Sequence, residues 1–149
     1  MNKIASFTVD HLRLMPGVYV SRVDGDVSTY DIRVTRPNAE AVMSTTECHT
    51  IEHLAATFLR NHPVYGDKVV YFGPMGCRTG FYLLLFGKEE AAEVAKLVRE
   101  MFEWIAEYEG KVPGAAAKDC GNYVDLELSS SIARAREFLG RSWETCYPK

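Results

Sequence analysis

No apolar run in this sequence is long enough to cross a bilayer. The longest, Phe81 to Phe86 (FYLLLF), falls far short of the roughly 20 residues that a spanning helix needs. Nor is any stretch strongly basic: 17 Lys and Arg stand against 20 Asp and Glu, a formal charge of −3. The electrostatic footprint of a nucleic-acid binder is missing, and neither nucleic acid nor a membrane is expected as a partner. The N-terminal MNKIASFTVDHLRLMPG lacks the apolar core of a signal peptide, so the expected location is the cytoplasm. Internal repeats, low-complexity tracts and linker-like stretches are also absent, which leaves one domain over residues 1–149. Cysteine is scarce, with Cys48, Cys77, Cys120 and Cys146 only. In a reducing compartment, metal binding or catalysis is a better use for selected ones than a structural disulfide.

What is present is an ordinary globular composition, 47% apolar and 25% charged. Gly17 to Val34 reads as two strands around Asp24-Gly25, a hairpin turn signal. Glu47 to about Asn61 reads as a helix with Ser44, Thr45 or Thr46 as its N-cap, ended by His62-Pro63. Strands follow at Lys68 to Phe72 and Phe81 to Phe86, joined by GPMGCRTG. Between Lys88 and Glu109, Val94, Leu97, Val98, Met101, Ile105 and Tyr108 recur at helical spacing, predicting a long amphipathic helix. A further helix is predicted from about Leu128 to Leu139. Clustered strands with short turns and long helices point to an α+β fold, an antiparallel sheet covered by helices.

The densest chemical signal is His49-Thr50-Ile51-Glu52-His53. Residues four apart on a helix lie one turn above each other, so His49 and His53 can reach one metal from a single face. Glu52 sits beside that face, placed to move protons near the metal. Two unrelated histidines with a solvated glutamate would give the same five letters, since short motifs recur by chance. A catalytic divalent site needs a third protein ligand and an open position. Cys120 is the best candidate, with Gly121 leaving the backbone free to turn the thiolate inward. Such ligands suit zinc, and also ferrous iron or cobalt. Cys48 is rotated about 100° from His49 on an ideal helix and reads as a packed thiol.

Cys77 lies in Pro74-Met75-Gly76-Cys77-Arg78-Thr79-Gly80, a glycine-rich turn between strands. The glycines allow a ligand close to the backbone, and Arg78 would favour a thiolate. A tight turn with an inert, buried cysteine fits the same residues.

Several separate blocks together resemble the S-ribosylhomocysteine lyase (LuxS) family. They are SFTVDH (Ser6 to His11), DIR (Asp31 to Arg33) with RPN after it, HTIEHL (His49 to Leu54), PMGCRTGFY (Pro74 to Tyr82) and Cys120-Gly121. They stand in the family's order at similar spacings, over roughly residues 5 to 139. The resemblance implies a homodimer with active sites at the subunit interface, each drawing residues from both chains. It implies cleavage of the thioether of S-ribosylhomocysteine to homocysteine and dihydroxypentanedione, the precursor of a bacterial quorum-sensing signal, and a part in methionine recycling. One divalent metal per subunit is implied, held by His49, His53 and Cys120, with ferrous iron expected in the cell and zinc or cobalt able to replace it. Glu52 and Cys77 match the acid/base pair, and Ser6, His11, Arg33 and Arg60 match positions that bind or orient substrate.

These roles suit the reaction. Direct rupture of the thioether would expel a poor leaving group from an unactivated carbon. Moving the sugar carbonyl along the chain places the carbon–sulfur bond β to it, where elimination is feasible. Each shift needs a Lewis acid and groups that carry protons. That accounts for a reactive cysteine in addition to a ligand cysteine.

The chain departs from the family at Tyr71-Phe72-Gly73, where many members carry an acidic residue and a serine, so no ligand contact is carried over from that strand. Leu126 and Glu127 replace a His-Asp or His-Ser pair and receive no role, and the tail from Arg141 has no landmark. Two other readings compete. An HxxEH-type metallopeptidase would use Glu52 as general base and take a downstream helical glutamate as third ligand. A structural metal site would need a fourth protein ligand, for which Cys48 and His62 are the candidates.

Overall fold

A computed structural model describes residues 1–149. Strand β1 (Gly17–Asp24) turns directly into β2 (Val27–Arg33). The connection is the two residues Gly25 and Asp26, with Gly25 at φ 58°, a backbone that glycine adopts without a Cβ clash. Helix α1 (Thr45–Arg60) follows, then β3 (Val69–Pro74), β4 (Gly80–Phe86), α2 (Ala91–Ala106) and α3 (Leu128–Leu139). The four strands form one antiparallel sheet in the order β1-β2-β4-β3. The expected α+β class, a helix-covered antiparallel sheet, is what the chain forms.

Each element follows from local chemistry. Of the three capping candidates Ser44 starts α1, because only it has glutamate three residues on. Its hydroxyl accepts the Glu47 N–H at 3.0 Å, and the Glu47 carboxylate accepts the Ser44 N–H at 2.7 Å. The helix stops at Arg60, ahead of His62-Pro63. Strand β3 runs two residues past Phe72, into Gly73-Pro74. Proline is tolerated there because β3 is an edge strand. Helix α2 is about three residues shorter at each end than the apolar periodicity suggests, with Glu90 and Glu107 as its caps.

Alternation in β4 puts Phe81, Leu83 and Leu85, all fully buried, on the helix side. They pack with Tyr30 and Ile32 of β2 against Ile51 and Leu54 of α1 and Val98, Met101 and Phe102 of α2. The other sheet face is less covered. Tyr71 and Phe86 are half exposed there, and the N-terminal segment adds exposed Ile4, Phe7 and Leu12. No helix is long and apolar enough to cross a membrane.

The C-terminal tail crosses the far edge of this sheet as a strap. Glu144 accepts the Val18 N–H at 2.9 Å and donates to Pro16 at 3.0 Å. A Cβ at Gly17 would fall 2.0 Å from the Glu144 carbonyl oxygen, so only glycine admits the tail this closely.

Candidate metal centre and thiol cleft

One turn of α1 brings His49 and His53 to the same side, with ring centroids 4.8 Å apart. The loop after α2 delivers Cys120 to them. Ligand atoms of His49, His53 and Cys120 all lie within 4.8 Å of one another, and Cys120 Sγ is 3.4 Å from His49 Nε2. Gly121 is not what turns the thiol inward. It has no left-handed backbone, and a Cβ there would meet nothing within 4 Å. The turn is closed instead by the Cys120 N–H on Ala116 O at 3.1 Å.

Both imidazoles are held from behind. His53 Nδ1 is 2.7 Å from the Pro113 carbonyl oxygen, which can only accept, so that nitrogen carries its hydrogen and Nε2 is left for a ligand. His49 Nδ1 is 3.0 Å from Asp125 Oδ2. Thr46 donates to the other Asp125 oxygen at 2.9 Å, and these two bonds hold the Asp125 carboxyl below its usual range. Asp125 sits in the short turn Tyr123–Asp125. Sequence reading missed it. Its only signal is an acidic residue five positions after Cys120, in a loop with no periodicity to place it. Glu127, given no role, caps α3 by accepting the N–H groups of Ser129 and Ser130.

The donor set fits a divalent cation, with two imidazole nitrogens and one sulfur converging and orienting bonds behind both rings. A fourth protein ligand is lacking. Cys48 is buried in the core, where desolvation pushes its thiol up to about 11. The His62 Nδ1 accepts the Val64 and Tyr65 N–H groups, and its Nε2 faces Glu100. The third group is a sulfur from a loop and not a helical glutamate, which removes the peptidase reading. Glu52 borders the openings on both sides of His49 and His53, one with Pro113 and Gly114 and one with Met75 and Gly76.

Cys77 opens on a separate cleft of about 420 Å³ with Ser6, His11, Arg33 and Tyr82 on its walls. Met75 and Gly76 form part of both this cleft and the opening beside His49 and Glu52, so the two spaces adjoin along the Pro74–Arg78 segment. Burial pushes the Cys77 thiol up, but Thr79 and the charge of Arg33 outweigh it and hold the thiol below its ordinary value. Arg78, the sequence neighbour, is not the cation responsible. It takes φ 62°, which turns its guanidinium to the Met43 carbonyl oxygen at 3.4 Å. Arg60 lines neither cleft. Its guanidinium donates to the carbonyls of Val69 and Val70 at 2.6 and 3.0 Å.

Three convergent donors without a fourth protein ligand are the arrangement of a catalytic metal site and not of a closed structural one. A sequence model of S-ribosylhomocysteinase (LuxS) matches residues 4–147, past residue 139 where the resemblance read from the sequence ends. The chain is 64% identical over 142 residues to the S-ribosylhomocysteine lyase of Clostridium acetobutylicum, covering 93% of this chain and 90% of that protein. It is 59% identical to the corresponding lyase of Clostridium beijerinckii and 55% identical to that of Phocaeicola vulgatus. Each match covers 93% of this chain, with 90% and 89% of the relative. The chain belongs to the S-ribosylhomocysteine lyase (LuxS) family.

Proposed function

We propose that this carbon–sulfur lyase acts as one domain on S-ribosylhomocysteine, releasing homocysteine and dihydroxypentanedione by carbonyl migration and then β-elimination. The observation that carries the reading is the open His49–His53–Cys120 centre beside the cleft of a thiol held below its ordinary pKa. His49 and His53 through Nε2 and Cys120 through Sγ would hold one divalent ion, with ferrous iron the cellular metal and zinc or cobalt acceptable to the same donors. When bound it supplies Lewis acidity for a substrate oxygen.

The chain's own groups then carry protons. The Cys77 thiolate takes a proton from a sugar carbon beside the carbonyl and returns it to the neighbouring carbon, moving the carbonyl along. Glu52, in the adjoining opening that shares Met75 and Gly76 with this cleft, moves the hydroxyl protons and serves the elimination. Ser6 and His11 orient the substrate in the Cys77 cleft, and Arg33 adds positive charge at its floor.

The functional unit is a homodimer. Exposed Ile4 lies with Tyr71 and Leu84 along a groove on the uncovered sheet face, the groove shares Ser6 and Tyr82 with the Cys77 cleft, and exposed Phe7 lines that cleft. An apolar face of this kind favours pairing, and pairing there puts the cleft at the interface. Arg60, remote from the cleft of its own chain, contributes to a site formed across the dimer. The enzyme works in the cytoplasm, supplying a quorum-sensing precursor and recycling homocysteine toward methionine, without nucleic acid or membrane as partner. Metal-loaded protein is expected to release one free thiol per S-ribosylhomocysteine consumed. Absence of thiol release in loaded protein would refute the activity.

A further inference from the structure

The Arg33 that faces Cys77 is itself held by a buried pair, and that pair is finished by the C-terminal tail. Arg33 and Asp31 are 3% exposed each and form a two-bond ion pair, Nε to Oδ1 at 3.1 Å and Nη2 to Oδ2 at 2.7 Å. The remaining Arg33 Nη1 donates to Thr79 Oγ1 at 2.7 Å. Because guanidinium only donates, the Thr79 oxygen is the acceptor in that bond, and its single hydrogen is free to point at Cys77 Sγ, 3.2 Å away. On the other side Tyr147 of the C-terminal tail donates its hydroxyl to Asp31 Oδ2 at 2.8 Å. Its ring stacks on Tyr19 at 4.6 Å between centroids, with 8° between planes.

We propose that Tyr147 is a positioning residue for Cys77, acting through the bonded series Tyr147–Asp31–Arg33–Thr79–Cys77. The Tyr147 hydroxyl takes up part of the Asp31 charge and its ring keeps water from the pair. Arg33 is thereby left to spend one arm on Thr79, and Thr79 to stabilise the thiolate. Without that hydroxyl, Asp31 draws Arg33 more fully to itself, and the thiol binds its proton more tightly. The tail is fastened for this task on both sides of Tyr147. Arg141 makes two bonds to Glu40 at 2.5 and 2.6 Å, and the Lys149 carbonyl accepts from Arg13. The other charged or titratable groups around Cys77 are His11 from the N-terminal segment, Glu40 from the loop before α1, the buried Cys48 thiol of α1, Tyr82 of β4 and the adjacent Arg78. None of them bonds to Asp31 or Thr79, so the relay alone joins the Tyr147 hydroxyl to the sulfur by hydrogen bonds, while Arg141 reaches the same cleft only through Glu40 on its wall.

The test is the rate of Cys77 alkylation against pH in the metal-loaded protein carrying Cys146→Ser, with and without Tyr147→Phe. Phenylalanine keeps the stack on Tyr19 and removes only the hydroxyl. The variant should alkylate roughly threefold more slowly at pH 7, a shift of about half a pH unit, yet reach the same limiting rate at high pH. Its metal content should not change. Coincident profiles, or slowing by one factor at every pH, would overturn the relay, the second result showing altered access alone. The titration does not depend on what Cys77 does in turnover. A shifted profile with unaltered lyase activity would leave this inference standing and remove Cys77 from the proposed mechanism.

Discussion

His49 reaches toward Cys120 with one ring nitrogen and is gripped by Asp125 with the other, Nδ1 lying 3.0 Å from Asp125 Oδ2. This contact fixes which nitrogen is free for a metal, and Asp125 is in turn fixed by Thr46. A carboxylate in this position also makes the imidazole a better donor. Asp125→Ala should therefore weaken metal affinity by about 10- to 100-fold without abolishing binding. A chelator competition gives the affinity directly, and an unchanged value would make the contact incidental.

The three proposed ligands should behave differently. Alanine at His49, His53 or Cys120 should strip most of the metal from purified protein, whereas Cys77→Ala should keep it. Elemental analysis distinguishes the two groups, and full occupancy in Cys120→Ala would remove the sulfur from the ligand set.

Glu52 borders the metal centre without converging on it. Glu52→Gln keeps the shape and loses the proton-accepting oxygen, so the variant should load metal normally and turn over at least 100-fold more slowly, in line with the usual worth of a general base of about 10²–10⁴. Activity near wild type would leave Glu52 as a bordering side chain only.

On the proposed mechanism the pH dependence follows from Cys77. A base must be deprotonated to act, so activity should rise as pH rises through the thiol pKa. Since Thr79 and Arg33 hold that pKa below the ordinary thiol value, the rise should be centred below that of a free thiol. Thr79→Val removes the hydroxyl donor and should move the rise upward by about one pH unit, a bond to a charged group being worth roughly 1.5 kcal/mol. A kcat/KM profile insensitive to this change would detach the limb from Cys77.

Much of the fold was legible because its signals are local. The Ser44–Glu47 box, the Gly25 turn and the alternation of FYLLLF each act within a few residues, and the i, i+4 spacing alone places His49 over His53. Cys120 could be named as a candidate, but its arrival depends on a loop 71 residues further along. What escaped notice was carried by long-range contacts. Asp125 meets His49 across 76 residues, and Tyr147 meets Asp31 across 116. No periodicity or cap marks either. Arg78 misled for a related reason. Adjacency in sequence suggested it beside Cys77, but its left-handed backbone sends the side chain elsewhere and leaves the task to Arg33, 44 positions before Cys77.

The most direct test is homocysteine release from S-ribosylhomocysteine by Cys77→Ser protein with its metal content verified. A serine hydroxyl is far too weak an acid to supply the thiolate, so the variant should hold its metal and release almost no thiol while the wild type turns over. Release by the metal-loaded serine variant at near wild-type rate would contradict the account, because carbonyl migration would then proceed without the group on which it rests.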